Sequence, residues 1–360
     1  MNYYNKVDMM KGLILSGGYG TRLRPLTYSQ QKQLIPIANK PILFYTIEEL
    51  IKAKIKNIGI IVGPNKEQII EAVNNAKFDA KITFIEQDSP KGLAHAVLIS
   101  EKFLGDDPFV MYLGDNLLKN GIKSHVDVFL NSDVDASILL TEHKNPSLFG
   151  CVKFKKNGSI EKLIEKPKNP PSNFILIGVY FFKKSIFEAA KKIKPSWRNE
   201  LEITDAIQYL IDNGFKVHSQ IVEGWWKDTG KTEDILDANR LMLDEINFNT
   251  DRKKTNRRGE KFSVSEGTKI DKKSVIKDPS IIGKNCLIKN SYIGPYTSIG
   301  NECTIINSEL ENSIVMDGTK IINAKKIIES LIGRDVNIEK SKISSKGIKF
   351  VIGDHSEVKI

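Results

Sequence analysis

Gly17, Gly18 and Gly20 follow directly on a short apolar run, residues 11–15, and are followed at once by Thr21, Arg22 and Arg24. Three glycines within four residues let a backbone fold tightly enough for several N–H groups to point at one anion. The two arginines add fixed positive charge on planar, five-donor forks. The chemistry such a loop performs is the holding of a polyphosphate; the plainer alternative is a tight turn. It is not a Walker A loop, because no lysine follows at the required spacing, and it is not a dinucleotide fingerprint, because Leu23 stands where the third glycine should be.

Two aspartates are placed for a metal. Asp115, in Tyr112-Leu113-Gly114-Asp115-Asn116, closes an apolar strand pattern, and Asp228 stands in Trp226-Lys227-Asp228-Thr229-Gly230. Mg2+ takes one or two carboxylates together with substrate phosphates, so a pair of this kind beside a phosphate loop suits it. Each aspartate could instead cap a following helix. Glu165-Lys166-Pro167 offers a carboxylate for sugar hydroxyls and a point charge for a phosphate, or simply a surface ion pair. Lys32 either returns to the phosphate loop or is an ordinary exposed lysine.

The elements that must carry these residues alternate. Residues 11–15, 57–62, 81–85 and 109–113 read as short buried strands, and 41–53, 66–76 and 92–103 as helices between them. This order predicts an α/β domain with a Rossmann-like mixed, mostly parallel sheet, whose ligands lie beyond the carboxyl ends of its strands. Residues 150–155 and 160–165 read as a hairpin, 174–182 as a long strand, 201–213 as a helix, 217–222 as a strand and 232–246 as a last helix. Residues 249–261 are polar and read as a linker. Beyond it, Ile-Gly steps at 282–283, 293–294, 299–300 and 332–333, with isoleucines about every six residues, give the hexapeptide pattern of a parallel β-helix of left-handed type. The pattern weakens over 307–330 and predicts loose coils there. The expected division is an N-terminal extension at 1–10, a catalytic domain at 11–248, the linker, and a β-helix domain at 262–360.

Composition narrows the class. No run is apolar enough to span a membrane, and the first residues lack the apolar stretch of a signal peptide. Cys151, Cys286 and Cys303 have no metal-site spacing and read as free thiols of a reducing cytoplasm. The net charge of +10 is spread along the chain without interleaved aromatics, which speaks against a nucleic-acid partner. The densest basic run, 252–258, falls in the linker.

Residues 15–25, 32–36, 92–94, 113–116, 165–167, 200–205 and 226–230 occur in the order found in glucose-1-phosphate thymidylyltransferases. The chain resembles the long form of that family, which carries a left-handed β-helix, within the sugar-phosphate nucleotidyltransferases. The resemblance implies Mg2+-dependent transfer of dTMP from dTTP to α-D-glucose 1-phosphate by in-line single displacement, yielding dTDP-glucose and pyrophosphate. It assigns nucleotide binding to Leu15, Gly17, Gly18, Gly20, Thr21, Arg22, Gln87, Gly92 and Asp115, with Gln87 reading the pyrimidine edge. It assigns the sugar phosphate to Gly150, Glu165, Lys166, Arg198 and Trp226, the metal to Asp115 and Asp228, and catalysis to Arg22, Lys32, Asp115, Lys166 and Asp228. A cytoplasmic homo-oligomer is implied as well. A UTP-dependent sugar-1-phosphate uridylyltransferase and a non-catalytic regulatory subunit are the alternatives. One departure stands out: Asn199 occupies a position that is usually glycine in the family.

Overall fold

The computed structural model describes residues 7, 9–63, 65–246, 262–340 and 355–358. The expected linker with its basic run, and most of the N-terminal extension, lie outside the described residues. Of the extension, Val7 and Met10 are buried, and the Met10 N–H donates to the Val7 carbonyl at 3.0 Å. The contacts divide the chain into two compact units: Met1–Tyr19, Gln31–Gln33 and Ile42–Asp228 form one, and Gly20–Gln30, Leu34–Pro41 and Thr229–Ile360 the other.

The first unit is built on a nine-stranded sheet. Its central strand, Lys11–Ser16, runs parallel to Asn57–Val62 on one side and Phe109–Leu113 on the other, and Lys81–Glu86 extends the parallel part. Strands of this kind are apolar on both faces because helices cover both. Leu13, Ile14, Ile58, Ile60, Ile61, Val110 and Met111 are accordingly buried almost completely. Phe174–Phe182 then pairs antiparallel with Phe109–Leu113 and with Ala136–Glu142, and the hairpin Gly150–Phe154/Ile160–Glu165 continues that side. Val217–Ile221 lies parallel to Ala136–Glu142. The strand Ala136–Glu142 and the helices Lys123–Asn131 and Ser185–Lys192 have no counterpart in the sequence reading.

The helix expected over 92–103 is two helices, Leu93–Ile99 and Glu101–Leu104. Ser100 breaks it: its hydroxyl bonds the Ala96 carbonyl at 2.7 Å, competing for the bond that would continue the helix.

In the second unit, three parallel sheets of five, five and four strands stack into the left-handed β-helix. Leu287 lies opposite Thr304 and Ser280 opposite Thr297, so equivalent positions recur after one coil of 17 residues. Between 307 and 330, where loose coils were expected, the strands stay in register and the coil shortens by a residue, with Thr304 opposite Lys320. Ile282, Ile288, Ile293, Ile299, Ile305, Leu310 and Ile321 fill the interior.

Asn239, on the helix Thr232–Glu245, joins three parts of this unit. Its Oδ1 accepts the Ala38 N–H at 2.8 Å and the Ser298 hydroxyl at 2.7 Å, and its Nδ2 donates to the Tyr296 carbonyl at 3.1 Å. Ala38 and Asn39, at φ 47° and 60°, form the two-residue turn between Pro36–Ile37 and Lys40–Pro41. Asn239 is 1 % exposed, so Asn239→Leu would leave two donors, the Ala38 N–H and the Ser298 hydroxyl, and one acceptor, the Tyr296 carbonyl, without partners. It is expected to cost about 3 kcal/mol, read as a lower thermal midpoint.

Candidate active site

The loop after the first strand divides between the two units. Gly17 and Gly18 belong to the first. Gly18 faces open space, whereas a Cβ on Gly17 would come within 3.0 Å of Gln87 Oε1. Gly20, Thr21 and Arg22 belong to the second unit. There the Thr27 hydroxyl holds the Gly20 carbonyl at 2.8 Å, and the Arg22 guanidinium lies 3.1 Å from where a Gly230 Cβ would stand. Leu15 is buried in the strand itself and can offer only its backbone.

Lys32 is not an exposed lysine. It is 7 % exposed, and its ammonium is ion-paired with Asp115 Oδ2. Asn116 Nδ2 donates to the other oxygen, Asp115 Oδ1, at 2.9 Å, and Trp226 Nε1 donates to Asn116 Oδ1 at 2.7 Å. Burial pushes the Asp115 carboxyl up, but the Lys32 charge and these hydrogen bonds outweigh it and hold the group below the usual carboxylate range. Neither aspartate caps a helix. Asp115 is followed by the strand Asn116–Leu118, and Asp228 ends the strand Trp226–Asp228, while the last helix starts behind Lys231.

These two short strands pair antiparallel with Asp228 opposite Asn116, so the two aspartates sit one rung apart. Two carboxylates are hard oxygen donors of the kind Mg2+ takes. Among the described residues no group of three or more His, Cys, Asp or Glu is placed to hold a metal by itself. A cation here would complete its shell with phosphate oxygens and water. The donor set fits Mg2+.

A second cluster surrounds Arg198. Its Nη2 donates to Glu200 Oε1 at 2.8 Å, its Nη1 reaches both oxygens of Glu202 at 3.3 and 3.4 Å, and Glu165 Oε1 is 3.7 Å away. Thr204 donates to Glu165 Oε2 at 3.3 Å. Burial, then the charge of Glu202, push the Glu165 carboxyl up, against the pull of Lys166 and Arg198. Asn199 stands at φ 59°, the left-handed conformation glycine would supply and asparagine tolerates, so the turn survives the departure from the family pattern.

Gly150 packs closely against this cluster: a Cβ there would stand 2.9 Å from Thr204 Cγ2 and 3.1 Å from Glu165 Oε2, so only glycine fits. Lys166 holds a left-handed backbone at φ 43°, strained for a long side chain, and among the described residues no ion pair engages its ammonium. The surface ion pair with Glu165 is therefore not formed. Trp226 packs edge-to-face on Phe149 at 5.5 Å, so it braces the residue next to Gly150 as well as Asn116.

The sequence reading passed over Asn116, Glu202, Thr204 and His95. All four lie beside singled-out residues in the chain or the motifs; Glu202 pairs with Arg198 four residues away, whereas Asn116 and Thr204 gain their roles from Trp226 and Glu165, which the fold brings to them. Among the described residues no helix is long and apolar enough to cross a membrane.

Residues 11–245 match the family model described as nucleotidyl transferase. The chain is 47 % identical over 356 residues to a glucose-1-phosphate thymidylyltransferase of Streptomyces antibioticus, covering 98 % of this chain and 99 % of that protein. It is 43 % identical over 354 residues to one of Streptomyces griseus, with 98 % and 99 % covered. A crystal structure described as a glucose-1-phosphate thymidylyltransferase from Bacillus anthracis in complex with a sucrose superposes with a TM-score of 0.61. It is 34 % identical and covers 66 % of this chain and 97 % of its own.

Proposed function

The chain belongs to the nucleotidyl transferase family, and from that premise we propose that it transfers dTMP from dTTP to α-D-glucose 1-phosphate, giving dTDP-glucose and pyrophosphate. The observation that carries the chemistry is the buried network Lys32–Asp115–Asn116–Trp226, with Asp228 one rung away. The full-length similarity to two thymidylyltransferases supports the choice of substrates. On this reading residues 11–248 form the catalytic domain and 262–360 the β-helix domain. The enzyme works in the cytoplasm as a homo-oligomer.

The difficulty of the reaction is electrostatic, since a sugar-phosphate oxygen must attack the α-phosphorus of another anion. Lys32 counters the triphosphate charge, and backbone N–H groups of Gly17 and Gly18 hold it. Lys166, with its strained backbone, meets the attacking phosphate as a point charge. Arg198, fixed by Glu200 and Glu202, orients it, and Glu165 beside Gly150 accepts sugar hydroxyls. No covalent nucleophile is required; positioning and charge stabilisation suffice. Nucleotidyl transferases generally use a divalent metal ion, and Mg2+ held by Asp115 and Asp228 would supply further neutralisation of the phosphates.

The test is pyrophosphate release with Mg2+ and glucose 1-phosphate, comparing dTTP, UTP, CTP, ATP and GTP. A strong preference for dTTP is expected. Preference for UTP would keep the chemistry and change the product. No release with any nucleotide or sugar phosphate would make the chain a regulatory subunit.

A further inference from the structure

Gln87 follows the strand Lys81–Glu86, and its N–H continues the ladder to the Val62 carbonyl at 2.9 Å. Its side-chain amide is anchored by one hydrogen bond. Nε2 lies 3.0 Å from His95 Nδ1, on the helix Leu93–Ile99, and Oε1 lies over Gly17. A carboxamide has a donor end and an acceptor end, and which end faces a base decides which base it accepts. Thymine and uracil present an N3–H donor beside a keto oxygen; cytosine presents an N3 acceptor beside an amino group. An amide with a free oxygen and one free N–H matches the first pair, and the same amide turned over matches the second.

We propose that His95 is a positioning residue that fixes the orientation of the Gln87 amide, so that the site takes 4-keto pyrimidines and rejects 4-amino ones. This rests on Gln87 being the residue that reads the base. A neutral imidazole with its proton on Nε2 offers only an acceptor at Nδ1, which must receive a Gln87 Nε2–H. The carbonyl oxygen is then left for the N3–H of the base, and the second amide N–H for its keto oxygen. A protonated imidazole has a donor at Nδ1 and calls for the reverse orientation. Burial, and then the Lys91 charge, hold His95 below the ordinary imidazole range, against the opposing pull of Asp88. The neutral form therefore prevails at neutral pH.

Kinetics from pH 5.5 to 8.5 test this, with dTTP and dCTP on the wild type and on His95→Leu, His95→Gln and Gln87→Leu. The wild-type KM for dTTP is expected to rise toward the acid end of this range, as the imidazole gains its proton, with kcat moving far less. His95→Leu should raise that KM on the order of 10-fold at pH 8 and narrow the dTTP-over-dCTP ratio of kcat/KM by a similar factor. His95→Gln, whose carbonyl can accept the same N–H, should restore both. Because it does not titrate, it should lack the extra rise at low pH that the wild type shows beyond nucleotide protonation.

If Gln87→Leu raises the KM for dTTP while His95→Leu leaves KM, the dTTP-over-dCTP ratio and the pH profile as in the wild type, the inference about His95 is overturned. If Gln87→Leu leaves the KM unchanged, the underlying reading of Gln87 fails instead. Should His95→Leu not fold, a wild-type low-pH rise persisting in His95→Gln overturns the inference equally.

Discussion

Asp228→Ala is expected to lower turnover by about 10³-fold or more while the protein melts close to the wild-type temperature. The two readouts separate because of where Asp228 sits. It ends a three-residue strand and is half-buried, and Lys32, the buried cation nearby, has Asp115 as its counter-ion. Asp115→Asn is the less clean experiment, because it strips the charge partner from a lysine that is 7 % exposed. Breaking a buried pair from one side costs about 3–5 kcal/mol. Its loss of activity would therefore be mixed with a loss of fold. Pyrophosphate release measured beside a thermal melt decides the matter: an Asp228→Ala protein that turns over like the wild type would remove Asp228 from the proposed metal site.

Gly92→Ala should instead be a folding defect. Gly92 has φ 100° and ψ 167°, a region that only glycine enters without strain. An added Cβ would also lie 2.4 Å from the Leu201 carbonyl oxygen and 2.6 Å from its nitrogen, and backbone cannot swing aside as a side chain can. The approach is held by two backbone bonds, Ala94 N–H to the Leu201 carbonyl at 3.0 Å and Leu201 N–H to the Lys91 carbonyl at 2.8 Å. A cost of roughly 3 kcal/mol, and a drop in the thermal midpoint on the order of 10 °C, is expected. Gly18→Ala is the control. A Cβ there meets nothing within 4 Å, so the melt should stay put while the KM for the nucleotide rises, if the loop approaches phosphate closely. A Gly92→Ala protein as stable as the wild type would mean that the contact with Leu201 is easily surrendered.

The contrast between these two glycines shows how far local reading reaches. Both stand in motifs, and nothing in their neighbouring residues tells one use from the other. Gly92 is constrained by Leu201, which the fold brings to it from more than a hundred residues away. Lys32 is a similar case. Its neighbours left open an exposed lysine or a return to the phosphate loop, and the fold gave it Asp115, 83 residues on. The strand Ala136–Glu142 went unread because its partners, Phe174–Phe182 and Val217–Ile221, are supplied by later parts of the chain.

What the sequence determined by itself is what local physics controls. Alternating apolar runs set the strands Asn57–Val62, Phe109–Leu113 and Phe174–Phe182 and the helix Lys66–Ala76. Isoleucines at six-residue spacing set the β-helix, and the clustered glycines set a loop able to turn its N–H groups on an anion. These follow from side-chain period and backbone freedom within a few residues. Tertiary structure alone decided the distant partners: Asp115 for Lys32, Glu165 for Arg198, His95 for Gln87, and Asn239 between the Ala38 turn and the β-helix. Whether a buried polar group meets its partner depends on strand order and register, which no local period encodes. A lone charge or amide in the interior is costly enough that its partner becomes as necessary as the residue itself.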